Sequence, residues 1–170
     1  MEFLNIIVTG TGNSGKTTLI NTVSEIPIMD LSDSFKSKDV RQNVELGRVQ
    51  ISGDTFLYLI GTPTDDKYHI FWDRASNDLV GFIFVVSTSK DSVEETKKAI
   101  KTLEDVENVP FIVVANGLQE KKDIEKMRKA LDLKKDRDLV SVDLRNKEKV
   151  NKVLTSLISM TLAKDTKKTA

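Results

Sequence analysis

The sequence predicts a single α/β domain in which a six-stranded, mostly parallel sheet carries helices on both faces and one antiparallel strand at its edge. Three observations lead there. Short apolar, β-branched runs alternate along the chain with stretches of helical period. Two of those runs are joined by a tight turn, whereas the others have helix candidates between them. A glycine-rich stretch separates the first strand from the first helix.

Residues 3–9 form the first strand and residues 16–24 the helix that follows it. Residues 25–43 show no sustained period, and irregular stretches of that length in compact domains usually serve function or motion. Runs 44–52 and 56–60 are separated by Gly53 and Asp54, a turn signal, and so form an antiparallel hairpin. Run 79–86 is apolar almost throughout, as a strand covered on both faces must be. Val93, Thr96, Ala99, Ile100 and Leu103 then mark a helix. Runs 109–115 and 139–142 complete the strands, with Ile124, Met127 and Leu131 marking a helix between them. Val150, Val153, Leu154, Leu157 and Ile158 mark the last one. The domain is expected to span 1–163, with 164–170, KDTKKTA, as a frayed polar tail.

The chain has 170 residues, one domain's worth, and 39% of them are apolar, enough for one core. Lys plus Arg number 26 and Asp plus Glu number 26, so no whole-molecule field draws the protein to nucleic acid or a charged membrane. Lys97, Lys98, Lys101 and the lysines between 121 and 135 are mixed with acidic residues at helical spacing. They read as solvated faces, and no nucleic-acid partner is expected. The absence of cysteine excludes disulfides, thiolate zinc sites, cysteine nucleophiles and prenyl or palmitoyl anchors. The first residues lack a basic leader and a cleavage pattern, and no apolar run approaches the roughly 20 residues of a membrane-crossing helix. The expectation is a cytoplasmic protein with no integral membrane segment.

Chemistry is concentrated in Gly10-Thr11-Gly12-Asn13-Ser14-Gly15-Lys16-Thr17, a full G-x-x-x-x-G-K-[ST] match between a strand and a helix. From background composition its four fixed positions coincide by chance in roughly 0.5% of chains this long, before the strand context is demanded. Gly10, Gly12 and Gly15 can take backbone angles denied to other residues, letting main-chain N–H groups converge on phosphate oxygens beside the positive end of the helix. Lys16 supplies a point charge for the β- and γ-phosphates. Thr17 offers a hydroxyl to the magnesium ion that bridges them. Thr18, next on the same helix, is expected with Gly10 to Thr17 among the nucleotide-binding residues. Kinases, ATPases and GTPases all use such a loop, so the later elements decide between them.

Those elements are Leu59-Ile60-Gly61-Thr62-Pro63 at the end of the hairpin and Ala115-Asn116-Gly117-Leu118-Gln119 at the end of a buried strand. With Val44 to Val49, Phe71-Trp72-Asp73 and Val142-Asp143-Leu144-Arg145, they make the chain resemble the Ras-like small GTPases, in particular the prokaryotic MglA-type branch and its archaeal relatives. The resemblance covers residues 3–163. It implies a three-layer P-loop NTPase fold, binding of GTP or GDP with Mg2+, and a switch whose output is a changed binding surface. It also implies a small roadblock-type dimer as a candidate regulator.

The sequence departs from that pattern in several places. The switch I threonine that completes magnesium coordination has no match in residues 39–43, and Ser34, Ser37 and Asp39 are the available substitutes. The aspartate of D-x-x-G is Gly61, its glycine is Thr64, and the water-orienting glutamine is Asp65. A carboxylate beside phosphate oxygens suffers like-charge repulsion unless screened, so intrinsic hydrolysis is expected to be slow. Arg41 stands either as an arginine supplied in cis to the γ-phosphate or as a solvated loop residue. The N-K-x-D element has become Asn116-Gly117-Leu118-Gln119, which keeps the asparagine and replaces two charge-assisted contacts by one neutral amide. At about 1 to 3 kcal/mol per contact, guanine preference should fall by one or more orders of magnitude. Val142, Asp143 and Leu144 would offer a backbone N–H to the guanine oxygen.

Trp72, with Tyr68, Ile70 and Phe71, is either an aromatic patch for a regulator or packing against a helix. His69 reads as a surface histidine. A partner-regulated switch is the favoured function. A nucleotide-binding interaction module that no longer cycles, and a P-loop kinase, are the alternatives.

Overall fold

Along the central strands, neighbouring side chains point to opposite faces, and here both faces are apolar. The structure, a computed structural model, describes residues 1–31, 44–64, 78–106, 109–134 and 138–168. In chain order its elements are β1 (Glu2–Thr9), α1 (Lys16–Val23), β2 (Met29–Asp30), β3 (Glu45–Ser52), β4 (Thr55–Thr62), β5 (Leu79–Val86), α2 (Lys90–Val106), β6 (Phe111–Asn116), α3 (Lys121–Ala130), β7 (Leu139–Val142) and α4 (Lys147–Lys168).

Ile7, Phe82, Phe84 and Val113 pack against Ala99, Ile100 and Leu103 of α2 and Met127 of α3. Ile6, Val8, Ile83 and Val114 pack against Leu19, Ile20 and Val23 of α1 and Val150, Val153 and Leu157 of α4. The result is an α/β domain with helices on both faces of one sheet, as the alternation of apolar runs required.

The sheet order is β2-β3-β4-β1-β5-β6-β7. Strand β1 pairs in parallel with β4 and β5, and β5, β6 and β7 continue in parallel. Strand β3 is antiparallel to β4, with Ser52 opposite Thr55 across the Gly53-Asp54 turn.

The sheet has seven strands among the described residues, not the six expected. The additional strand, β2, lies inside the stretch read as irregular, and it pairs Met29 with Leu46 and Asp30 with Glu45. Consequently the antiparallel strand β3 is not at the edge. Two residues carry no periodic signal, but the open backbone groups of β3 give them hydrogen-bonding partners. The fifth expected strand, now β6, starts at Phe111 and not at Val109, because Pro110 has no N–H for a ladder. Its carbonyl still accepts the Phe82 N–H at 3.0 Å.

The last helix continues through Lys168, past Lys164 where fraying was expected. Lysine is a good helix former, and the Thr161 hydroxyl, donating to the Val80 carbonyl at 2.6 Å, ties this end to the sheet. No helix among the described residues is long and apolar enough to cross a membrane.

The chain leaves β1 for α1 on one face and leaves its neighbour β5 for α2 on the other. At such a reversal the carboxyl ends of adjacent strands open a crevice, where ligands of doubly wound sheets bind.

Candidate functional site

The loop from β1 to α1 opens into that crevice. Gly10 is buried so closely that a Cβ there would meet the carbonyl oxygen of Val85 on β5. The loop turns where the Ser14 N–H donates to the Thr11 carbonyl at 3.2 Å. Asn13 has φ 59° and Gly15 φ 108°, whereas Gly10 and Gly12 have no positive φ. The left-handed positions are thus not the three glycines expected: Asn13, which tolerates that region, takes one of them. At Gly15 a Cβ would also lie 2.5 Å from Leu144 Cδ1. Glycine is required there twice over, by conformation and by contact.

Gly15 is the N-cap of α1, and no side chain caps this helix or places an acid in its first turn. The other three helices among the described residues have Asp91, Asp123 and Glu148 in theirs. A helix N-terminus left so carries unpaired N–H donors and a partial positive charge. Among the described residues, the N–H groups of Gly12, Asn13 and Gly15 have no hydrogen-bond acceptor. The buried hydroxyls of Thr9, Ser14 and Thr62 have no partner among them either. An anion with several oxygens has the chemistry to answer such a group of donors.

Lys16 folds back over the loop and donates to the carbonyls of Gly10 at 2.7 Å and Thr11 at 3.0 Å. Burial pushes its ammonium below the ordinary lysine range, and attraction to the Glu45 carboxylate works against that shift. The Thr17 hydroxyl donates to the Glu45 carboxylate, 2.8 Å from one oxygen and 2.9 Å from the other. The Thr18 carbonyl accepts the Thr22 hydroxyl at 2.8 Å, one turn further along α1. Sequence reasoning missed Glu45, which it treated as part of a strand. The available signal was Gly61, a glycine in place of the expected carboxylate, on the strand paired with β3.

On the other side of the loop, a cleft of about 340 Å³ lies between Thr11 and Gly12, Pro63 and Thr64 at the end of β4, and Glu95 on α2. The Thr64 hydroxyl donates to Glu95 at 3.1 Å, and the Thr11 hydroxyl to Ser92 at 3.0 Å. Glu95 too escaped the sequence reading, because its helix is distant in the chain. Arg41 and Asp65, the expected catalytic pair, lie outside the described residues, as do Ser34, Ser37, Asp39, His69 and Trp72.

At the carboxyl ends of β6 and β7 the remaining predicted residues come together. Asn116 Oδ1 accepts the Leu144 N–H at 3.3 Å, and the Gly117 N–H donates to the Val142 carbonyl at 2.9 Å. Asp143 folds on itself, its carboxylate accepting the Arg145 N–H at 3.0 Å. The Leu144 N–H, one of those expected to meet a base, is therefore already engaged by Asn116. Asn116, Gly117 and Gln119 are exposed, whereas Leu144 is 1% exposed and wedges between this segment and Gly15. The Leu144 carbonyl accepts the Thr22 hydroxyl of α1 at 2.7 Å, a second tie between the two ends of the crevice.

No protein-family model matches the chain, and no curated protein is significantly similar to it. The site is therefore read from its own chemistry. Among the described residues no three His, Cys, Asp or Glu side chains gather to hold a metal. Two hard oxygen donors, Thr17 and Glu45, do lie together at the loop. That small set suits magnesium, which keeps several waters and commonly takes one or two protein oxygens plus phosphate.

Proposed function

We propose that the protein is a guanine-nucleotide-binding switch with slow intrinsic GTP hydrolysis, built on a P-loop domain of the Ras-like, MglA-type kind. The observation that carries this reading is the uncapped, acid-free start of α1 beneath a loop whose lysine rests on the loop's own carbonyls. In this reading the N–H groups of Gly12, Asn13 and Gly15 receive the phosphate oxygens. Lys16 exchanges two carbonyls for phosphate, which its charge favours because phosphate carries full negative charge and a carbonyl only a dipole. Magnesium, when bound, neutralises the β- and γ-phosphates and draws on the Thr17 hydroxyl. Asn116 and Gln119 present amide groups to the base, and Leu144 links that end to Gly15. A roadblock-type partner acting on the segments around Arg41 and Asp65 is the regulator this reading favours.

A magnesium-dependent competition titration tests the reading. Stripped protein carrying a fluorescent guanine nucleotide should release it to GTP and GDP at lower concentrations than to ATP. Equal displacement by ATP would restrict the claim to nucleotide binding without base preference.

A second reading, a nucleotide-binding module that no longer cycles, is favoured by one contact. Thr64 stands where a glycine N–H would meet the γ-phosphate, and its hydroxyl is held by Glu95. Single-turnover hydrolysis decides: no phosphate release from bound GTP, alone or with a partner, selects this module.

A further inference from the structure

The end of β4 offers Gly61 where the small-GTPase pattern has an aspartate, and the carboxylate next to that place belongs to Glu45. Strands β3 and β4 pair so that Glu45 stands directly opposite Gly61. Residues opposite each other in an antiparallel pair share a face, so the Glu45 side chain leaves the sheet on the side where a Gly61 side chain would. The two cannot both be large. A Cβ at Gly61 would lie 2.8 Å from Ile20 Cδ1, 3.3 Å from Glu45 Cβ and 3.5 Å from Glu45 Oε2. The glycine makes room, and the glutamate fills it.

Among the described residues, Glu45 is also poorly satisfied for a carboxylate that is half-buried. Its only hydrogen-bond donor among the described residues is the Thr17 hydroxyl, whose single hydrogen is shared between both oxygens. An ionised carboxylate has about four acceptor positions, and the described residues fill few of them. Beside a phosphate-binding loop this charge would repel a nucleotide unless a divalent cation stood between them. Its neighbour Thr17 is the hydroxyl that the nucleotide-site reading assigns to magnesium.

From these observations we infer that Glu45 is the metal-side carboxylate of the site, holding Mg2+ together with Thr17 and replacing from β3 the group that β4 lacks at Gly61. The inference rests on the nucleotide-site reading above. It explains why Gly61 is compatible with a magnesium-dependent site, and it makes Glu45 a specific liability for metal-free nucleotide.

The test compares the affinity of the stripped full chain for a fluorescent GDP analogue in Mg2+ and in EDTA, giving a magnesium-dependent gain. Wild-type protein should show a clear gain. Glu45→Gln, whose amide oxygen can still accept the Thr17 hydroxyl, should lose at least about tenfold of it, the scale on which weakened metal ligation is felt. The spectrum of Mn2+ bound to the nucleotide complex should change in the same variant. A folded Glu45→Gln protein with the full gain and an unchanged Mn2+ spectrum would show that Glu45 merely holds Thr17, and the inference would fall. If Glu45→Gln does not fold, Glu45→Asp retains the charge on a shorter stem; it should lose part of the gain, and an undiminished gain overturns the inference. Wild-type protein that binds GDP equally with and without Mg2+ overturns the role of Glu45 and leaves the nucleotide reading standing. Wild-type protein that binds no nucleotide in either condition overturns both.

Discussion

At the carboxyl end of β1 two of the three loop glycines are hemmed in, Gly10 by Val85 and Gly15 by Leu144, whereas at the carboxyl end of β6 Gly117 stands in open space. The loop end of the crevice, where the proposed function seats phosphate, offers mainly backbone donors, and their positions depend on close packing at Gly10 and Gly15. The proposed base end carries exposed side chains, Asn116, which accepts the Leu144 N–H, and Gln119. The difference explains an asymmetry in the sequence. A side chain at Gly10 would strike β5 and one at Gly15 would strike Leu144, so packing by itself holds both glycines of the G-x-x-x-x-G-K-T run. In the proposed reading, Gly117 and Gln119 stand in place of a lysine and an aspartate that would touch only ligand, and both positions are exposed, away from the core.

If this contrast is right, the largest effect belongs to Lys16→Ala. Triphosphate affinity should fall by at least about 100-fold, since a charge-assisted contact to phosphate is lost, while the circular dichroism spectrum stays that of the folded protein. Undiminished affinity in a folded variant would remove the foundation of the proposed function. Gly15→Ala comes next. It forces a side chain into the left-handed region and against Leu144, so denaturant unfolding should report a loss of about 1 to 3 kcal/mol along with weakened binding.

At the base end the effects should be smaller and confined to specificity. Gln119→Asp restores a charged acceptor and should raise the GTP-over-ATP preference by about tenfold, with the unfolding midpoint nearly unchanged. A large stability change there would break the contrast between the two ends. The smallest effect is expected for Gly12→Ala, since nothing lies within 4 Å of the added Cβ and φ is not positive. Its stability should stay within about 0.5 kcal/mol of wild type, the usual range for surface changes. Any loss of nucleotide affinity in that variant then measures how closely a phosphate approaches the loop.

Most of the fold was legible because its elements are long and strongly patterned. The 79–86 run is a strand as read, since a continuous apolar stretch must be covered on both faces. The hairpin followed from Gly53, whose φ of 47° a turn of this kind demands. Strand β2 was not legible, because Met29 and Asp30 gain their pairing only from the exposed backbone of β3. The candidate site divides in the same way. Its loop is contiguous in sequence and could be read directly. Glu45, Glu95 and the wedge of Leu144 could not, as each comes from a distant segment.

Sequence alone, then, determined the alternation of strands and helices, the hairpin and the glycine-rich loop, since each rests on local period, turn chemistry or adjacent residues. Register was decided by the tertiary structure. Carried straight back from Ser52 opposite Thr55, the hairpin would set Glu45 against Thr62, but the ladder shifts between Gln50 and Ser52 and sets it against Gly61. Side chains alternate with a period of two, so a one-residue shift sends every later side chain of the strand to the other face. That shift brings Glu45 of β3 to Thr17 of α1, and two residues 28 positions apart meet only once the chain is folded.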